Sequence, residues 1–276
     1  MNIAEMVNKL IAAGYGNAPA RAKVAHDIFL AAIKAAGFKD NVTIKGGVVM
    51  SGLSKNVRRA TMDMDVDFVR YSISDTAIQR FVKKLNALVG VNIAIRGPIV
   101  ELKHQEYRGK RVYLTISDGN GTQVVTKVDI GVHTRVEVRQ KDFTFDVVTG
   151  ARGVKLLANS KEQIFVEKLK SLLRLGAFSG RYKDVFDMYF LRDKITRRTL
   201  KSYMKMYIYD DPKMRERDAA AVAERARNIL QSSGYTRGLR NKKFAWIDVD
   251  PSSVVQSLME FLVGLGKVKK PTKVKN

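Results

Sequence analysis

The strongest constraint on the fold lies in residues 62–68, where apolar residues alternate with acids. Because successive side chains of a β-strand point to opposite faces, this pattern predicts a strand with one face in a core and a row of carboxylates on the other. Like charges so close together repel one another unless a cation lies against them. The row therefore suggests a divalent metal, Mg²⁺ or Mn²⁺, which prefers hard oxygen ligands. The alternative is an exposed strand face that is simply acidic. The acids are Asp63, Asp65 and Asp67, and the apolar residues are Met62, Met64, Val66 and Phe68.

The charge of the chain is the second constraint. Its 276 residues include 50 Lys and Arg against 27 Asp and Glu, a formal net charge of +23, and no cysteine. A positive field of this size attracts polyanions, so it favours a nucleic acid as partner over an acidic protein or a role in solubility alone. The lack of cysteine excludes disulfides, thiolate zinc sites and a cysteine nucleophile. No apolar run could span a bilayer and no secretory signal pattern begins the chain, so we expect a cytoplasmic protein with no membrane partner.

The order of periodic segments indicates an α/β (α+β) fold in two parts. Strand patterns at residues 42–45, 62–70, 91–95, 111–116 and 124–132 are mixed with helical patterns at 3–37, 48–53 and 75–89. The helical stretch 3–37 is interrupted at residues 14–17, and residues 118–121, Asp-Gly-Asn-Gly, predict a tight turn. Later patterns, at 160–175, 181–192, 196–208, 212–232 and 251–264, are helical. We predict a core domain with N-terminal helices over residues 1–155 and a helical domain over 156–266. A basic tail over 267–276 is expected to be disordered or to order only on a polyanion.

Lys45-Gly46-Gly47 ends a predicted strand and precedes a predicted helix. Glycines at such a junction let backbone N–H groups approach a phosphate, helped by the positive end of the helix dipole. A Gly-Gly pair is also common in ordinary turns.

A second acidic strand is predicted at residues 124–132, where Asp129 lies on the polar face with Lys127. If this strand pairs with the first one, Asp129 joins the carboxylates of the first strand. A third carboxylate would serve a two-metal phosphoryl-transfer site, or act as a base for an incoming hydroxyl. Asp129 could equally be a surface residue that pairs with Lys127.

Two helices carry further candidates. Ser160-Lys161-Glu162-Gln163 is a capping box, and Lys168 then falls within the apolar stripe of its helix. A lysine there extends its ammonium group to solvent or meets an anion, such as a nucleotide phosphate. The next helix is apolar nearly all round and carries Asp184 and Asp187 three residues apart. These acids need partners, with Lys168 in a structural salt bridge or with the edge of a base.

Five motifs in this order resemble the AbiEii/AbiGii toxin family, which includes the MenT toxins. These are nucleotidyltransferase-like toxins of bacterial abortive-infection and toxin–antitoxin systems. The resemblance covers about residues 20–195 and extends more faintly to about residue 260. The motifs are residues 45–47 (Lys-Gly-Gly), 59–65 (Arg-Ala-Thr-Met-Asp-Met-Asp), 127–130 (Lys-Val-Asp-Ile), 167–169 (Glu-Lys-Leu) and 181–187 (Arg-Tyr-Lys-Asp-Val-Phe-Asp).

The resemblance implies a polymerase-β-like nucleotidyltransferase core with a mixed sheet, followed by a helical C-terminal domain. It also implies Mg²⁺-dependent transfer of a nucleotide from an NTP, which in several relatives goes to the 3′ end of tRNA, and a cognate antitoxin. By position, Asp63 and Asp65 match the catalytic, metal-binding aspartates, and Asp129 looks like the third metal-binding acid. Lys168 and Asp184 match an essential lysine and aspartate, which are catalytic and nucleotide-binding, and Gly46 and Gly47 match the nucleotide-binding glycine motif.

The chain departs from the family pattern in two places. Many relatives have Gly-Ser where this chain has Gly46-Gly47, so a serine contact to phosphate is missing unless Ser51 replaces it. Asp67 is an extra acid with no matching role. Two alternative functions also remain open: the same fold acting on a protein or small-molecule hydroxyl, and a non-catalytic basic protein that binds nucleic acid.

Overall fold

The computed structural model of the protein describes residues 1–102, 109–135, 137–150 and 153–266. The chain divides into two compact units, Met1–Asn159 and Ser160–Asn276. The first contains a mixed sheet with helices and the second is helical, so the predicted α/β class is confirmed. The basic tail predicted over residues 267–276 lies outside the described residues. None of the helices in the described ranges is both long and apolar enough to cross a membrane.

The helices of the first unit begin and end close to the predicted positions. They are α1 (Ile3–Ala12), α2 (Asn17–Ala35), α3 (Gly46–Ser54) and α4 (Asp75–Leu85), with one turn of 3₁₀ helix at Val57–Arg59. Gly14, with φ of +95°, follows α1 in the break that the sequence predicted. Ser74 caps α4, because its side chain accepts a hydrogen bond from the N–H of Ala77.

The strands of the first unit form one eight-stranded mixed sheet among the described residues. They are β1 (Val42–Lys45), β2 (Asp63–Phe68), β3 (Val91–Ile95), β4 (Val100–Leu102), β5 (Gly109–Asp118), β6 (Gln123–Val132), β7 (Lys141–Phe145) and β8 (Val154–Ala158). Their order is β3-β5-β6-β2-β1-β8-β7, and β4 pairs with β5. The pairs β2–β6 and β1–β8 are parallel, and the other pairs are antiparallel.

The acidic strand β2 is anchored by its apolar face. Met64, Val66 and Phe68 are fully buried, and the ring of Phe68 lies 5.0 Å from that of Phe81 on α4. Phe81 in turn contacts Phe29 on α2, with ring centroids 6.2 Å apart. A slip of one residue in the pairing of β2 would carry its aspartates into this aromatic cluster, so the cluster fixes the register.

The second unit consists of helices in its described part. These are α5 (Lys161–Leu175), α6 (Tyr182–Leu191), α7 (Arg197–Met204), α8 (Ala219–Leu230), α9 (Ser233–Leu239) and α10 (Pro251–Gly266), with a π-helical turn at Lys205–Tyr209 after α7. Ser160 caps α5 as predicted, because its hydroxyl accepts the N–H of Gln163 at 3.2 Å. Gly176 follows α5 with φ of +66°, where the sequence predicted its end.

Several predicted elements differ from the structure. The helix predicted over residues 212–232 is wrong at its start, because α8 begins only after Asp218, whose carboxylate accepts the N–H of Ala221 at 2.8 Å. The short elements β4, β7, β8 and α9 carry three to seven residues and were not predicted. Segments of this length show little periodicity of their own, so pairing or packing with distant elements decides their state. The strand β8 runs across residue 155, where the sequence places the domain boundary.

Candidate active site

The predicted carboxylates lie on one face of the sheet, in the middle of its strand order. β2 and β6 run parallel, with Asp65 beside Asp129 and Asp63 beside Lys127. On the outer sides of this pair, Lys45 of β1 is the register partner of Asp65, and Arg111 of β5 is that of Asp129. Residues that are partners across a sheet point to the same face. The row Lys45, Asp65, Asp129, Arg111 therefore has two carboxylates at its centre and a cation at each end.

Lysine and arginine side chains balance three of these acids. The Lys127 ammonium lies 3.0 Å from Asp63 Oδ1, and the Lys45 ammonium lies 2.6 Å from Asp67 Oδ1. Asp67 is 7% exposed and Asp63 is 51% exposed. Asp67 is thus the buried salt-bridge partner of Lys45, a role that the sequence analysis did not assign to it. Asp63, by contrast, is exposed enough to contact a ligand.

Asp129 is held by Arg111 rather than by Lys127. The guanidinium donates from Nε to Asp129 Oδ1 at 2.8 Å and from Nη2 to Oδ2 at 2.9 Å. This two-pronged hydrogen bond is the strong arrangement for an arginine and a carboxylate, and it raises the pKa of Arg111 well above its ordinary value. Sequence reasoning missed Arg111, although the turn predicted at residues 118–121 contained the signal. A hairpin centred on that turn places residue 111 opposite residue 129.

The Gly46-Gly47 turn lies directly against the acidic strand. Gly46 has φ of +63°, and a Cβ atom on it would lie 2.6 Å from Asp65 Oδ2. A Cβ atom on Gly47 would lie 2.5 Å from the hydroxyl of Thr61. Both contacts are closer than a real Cβ tolerates, so the glycines leave room for Asp65 and Thr61. The first turn of α3 has no side-chain cap, so its N–H groups suit a phosphate.

The donor set suits a hard divalent cation only in part. Asp65 supplies oxygen donors beside the glycine turn, and Asp63 lies two residues before it on the same face of β2. Asp129 is their neighbour, but both of its oxygens accept hydrogen bonds from Arg111. Within the described ranges, no three His, Cys, Asp or Glu side chains are grouped closely enough to hold a metal ion. The chain therefore offers Asp63 and Asp65, of which Asp63 also pairs with Lys127, while Asp129 is held by Arg111.

The second unit holds its own group of charges around Lys168. Its ammonium pairs with Asp184 Oδ1 and lies 2.9 Å from Asp187 Oδ2. Asp187, fully buried, also accepts the indole N–H of Trp246 at 3.0 Å. Lys168 therefore meets anions rather than solvent. These contacts form the structural salt bridge that the sequence analysis gave as one of two alternatives. They also hold Lys168 and Asp184 in direct contact.

Aromatic side chains of the second unit lie mostly in its core, where they cannot stack on the bases of a nucleic acid. Tyr207, Tyr235 and Trp246 are buried, and Tyr182 packs against Tyr235 with ring centroids 5.0 Å apart. Burial raises the pKa of Tyr235, and its hydroxyl has no hydrogen-bond partner among the described residues. These rings stabilise the helical unit.

His26 on α2 is a residue that sequence reasoning missed. Its side chain is buried beside the acidic strand and hydrogen-bonds to the backbone of Met62. The pKa of His26 is lowered from 6.5 to about 4, mainly by burial and also by the charge of Lys23, while Asp63 opposes the change. Burial also raises the pKa of its neighbour Asp27, against the effect of Lys23. A histidine within a long helix gives no sequence signal of this environment.

Comparison with known proteins identifies the class and then the family. The family model that matches residues 28–244 is that of a nucleotidyltransferase. The chain belongs to the AbiEii family, described as nucleotidyl transferase AbiEii toxin of a type IV toxin–antitoxin system. The match spans both units of the structure, and it makes the protein an enzyme with a cognate antitoxin.

One similar solved structure is that of an antigenic nucleotidyltransferase-like protein from Paracoccidioides brasiliensis. It is 14% identical, with a TM-score of 0.39, and the alignment covers 85% of this chain and 94% of that chain. Comparison with curated proteins gives no significant match.

Proposed function

We propose that the enzyme transfers a nucleotide from an NTP to the 3′ end of a tRNA, in the cytoplasm. The observation that supports this most directly is the contact between the glycine turn and the acidic strand, where Asp65 Oδ2 occupies the space beside Gly46. A phosphate-binding helix terminus next to two carboxylates is the combination that a triphosphate and its cation require.

Asp63 and Asp65, with Asp129 as the third acid, are the proposed ligands for Mg²⁺ or Mn²⁺. Bound there, the cation would offset phosphate charge and make a hydroxyl more acidic. The residues of the chain do the rest. The N–H groups of Gly46 and Gly47 bind phosphate oxygens, and the open side of Asp63 faces incoming ligands.

Lys168 and Asp184 are the proposed nucleotide-binding and catalytic residues of the second unit. Asp184 holds the ammonium of Lys168 in a salt bridge with both side chains at least four-fifths buried. The salt bridge fixes the direction of the Lys168 ammonium, which we propose also contacts a phosphate oxygen of the bound nucleotide.

The acceptor is proposed from charge. Fifty basic residues against 27 acidic ones favour a polyanionic substrate, and exposed basic side chains are frequent before and along α8. They include Arg215, Arg217, Arg225 and Arg227. A cationic antibiotic would be repelled by this charge.

The test is labelling of RNA by the purified enzyme with each α-³²P-labelled NTP in turn, in Mg²⁺, with total tRNA as acceptor. We expect one or more NTPs to label tRNA, and periodate oxidation of the tRNA 3′ end to abolish labelling. Asp63→Asn should reduce labelling on the order of 100- to 1000-fold, because it removes several kcal/mol of charge stabilisation. Its pair with Lys127 is half exposed, so stability should change by about 1 kcal/mol or less.

Asp142→Asn is the matched control. Asp142 is a strand aspartate of the same sheet, 60% exposed and 2.7 Å from Lys155 on the neighbouring strand. It should retain full labelling. Label in protein with none in tRNA would show that the acceptor is a protein hydroxyl. Full labelling of tRNA by Asp63→Asn would show that the Asp63 carboxylate is not needed for the reaction.

A further inference from the structure

The most exposed aromatic side chain among the described residues lies on a loop of the second unit. Phe178 is fully exposed, at 101% of its reference area, whereas the next most exposed aromatic residue, Tyr113, is 39% exposed. Phe178 ends the 3₁₀ turn Gly176–Phe178, between α5 and α6. Single apolar side chains are common at protein surfaces, so exposure alone does not identify a site. The surroundings of the ring decide whether it can bind a partner.

Hydrogen bonds hold the loop that carries this ring, which we call the Phe178 loop (residues 176–181). The Ser179 N–H donates to the carbonyl oxygen of Gly176 at 3.1 Å, and the Ser179 hydroxyl accepts the N–H of Arg181 at 3.2 Å. Gly176 and Ser179 are buried, while Phe178 between them points to solvent. Because the backbone is already fixed, little conformational entropy is lost when a ligand stacks on the ring.

Arginine side chains flank the Phe178 loop. Arg181 is 66% exposed. Arg225 on α8 is exposed, and its Nη2 atom would lie 3.4 Å from a Cβ atom on Gly176. The neighbouring acid, Asp184, is engaged by Lys168. In a chain with a net charge of +23, these guanidinium groups favour an anionic partner.

The apolar surface at the Phe178 loop is small. Leu175, 43% exposed, is the neighbouring large apolar side chain that is also exposed. A stable protein interface covers about 800 Å² on each partner around an apolar core, and two side chains fall far short of that area. The face of one ring, however, matches the face of one base. Proteins hold single-stranded nucleic acids by stacking bases on aromatic rings beside cations that contact the phosphates.

We propose that Phe178 stacks on an unpaired base of a single-stranded RNA, with Arg181 and Arg225 contacting the adjacent phosphates. A base inside a duplex has both faces covered by its neighbours, so the ring selects an unpaired nucleotide. The loop adjoins the charge group around Lys168, because Arg181 Nη1 lies 3.9 Å from Asp184 Oδ2. If the proposed function holds, on which this last step rests, the base belongs to the single-stranded 3′ end of the acceptor RNA.

The test measures binding of the full chain to a fluorescein-labelled oligoadenylate and to a blunt-ended RNA duplex by fluorescence anisotropy. Phe178→Ala should bind the single strand about tenfold more weakly, as expected for the loss of one base–aromatic stack, and the duplex as the wild type does. The ring is fully exposed, so the melting temperature should not change. Arg225→Gln should lower the slope of log K against log salt for the single strand by about 0.7, because it removes one phosphate contact.

Tryptophan fluorescence reports stacking directly. The chain has one tryptophan, Trp246, which is buried. Phe178→Trp adds an exposed indole, and its emission should be quenched in a saturable way by the oligoadenylate. Val89 is the matched control position, an apolar side chain that is 89% exposed on the first unit. Val89→Ala should bind both RNAs as the wild type does, and Val89→Trp should show no saturable quenching.

Unchanged binding of the single strand by Phe178→Ala, or an equal loss for the single strand and the duplex, would show that the inference is wrong. Unchanged RNA binding with Phe178-dependent binding to phosphatidylserine vesicles would show a membrane contact instead. In the labelling assay, Phe178→Ala should raise the KM for tRNA about tenfold with little change in kcat. An unchanged KM would show that the bound strand is not the acceptor. Phe178-dependent binding without any tRNA labelling would overturn the proposed function alone, whereas tRNA labelling without Phe178-dependent binding would overturn this site alone.

Discussion

His26 should make the first unit sensitive to acid. In the folded chain burial holds its pKa at about 4, against 6.5 for the free side chain, with Lys23 adding to the decrease and Asp63 opposing it. Between pH 6.5 and pH 4, His26 is protonated in the unfolded chain but neutral in the folded chain. Its contribution to the free energy of unfolding is therefore complete above pH 6.5 and decreases as the pH drops toward 4. At 1.36 kcal/mol per pH unit, the interval corresponds to about 3 kcal/mol, of which about 2 kcal/mol is lost between pH 7 and pH 4.5.

Denaturant-dependent hydrogen exchange of α2, in metal-free buffer at pH 7 and pH 4.5, measures this effect. The prediction concerns the difference between the wild type and His26→Phe, because other groups contribute to both. Asp27, whose pKa burial raises, acts in the opposite direction and cancels in this difference. The wild type should lose about 2 kcal/mol more than the variant. Equal losses in the two proteins would mean that His26 takes up its proton as readily when folded, which would refute the reasoning.

Further predictions concern single contacts. Gly46→Ala and Gly37→Ala both place a side chain at positive φ, but only the first pushes into a carboxylate. Both should lose about 1–2 kcal/mol of stability, and RNA labelling should fall on the order of 100-fold in Gly46→Ala alone; equal labelling would contradict the role of the turn. Trp246→Phe removes the indole donor to Asp187 and should destabilise the second unit by about 1–3 kcal/mol in thermal melts; an unchanged melting temperature would show that the bond contributes nothing. Backbone N–H groups lower the pKa of Asp118, so the protection factors of amides in α1, corrected for the intrinsic exchange rate, should fall as the pH drops through that pKa, and Asp118→Asn should lose this dependence.

The acidic strand shows how far local pattern reaches. Alternation of apolar residues and acids was enough to predict β2, its buried face and the common direction of Asp63 and Asp65. The predicted turn at residues 118–121 joins β5 and β6, although the pairing of Arg111 with Asp129 across that hairpin was not predicted. The order of motifs was also enough to indicate the family that the comparison then established.

The burial and the ion-pair partner of each charged residue depend on contacts with other segments, which the alternation of apolar and acidic residues does not predict. Asp67 is as regular a member of the acidic row as Asp63, yet one is buried against Lys45 and the other is half exposed. Which of them is covered depends on β1, which pairs with β2 from a separate part of the chain. The roles proposed for Asp63, Asp65, Asp129, Lys168 and Asp184 remain predictions, and the labelling experiments test that of Asp63.

By itself, the sequence determined the elements with long or regular periods, because periodicity acts between near neighbours in the chain. Only the tertiary structure decided the partners of Lys168 and Asp129, the pairing of the short strands β7 and β8, and the burial of His26. Ion pairs and desolvation depend on distances between atoms from remote segments, and those distances exist only once the sheet and the helices have packed.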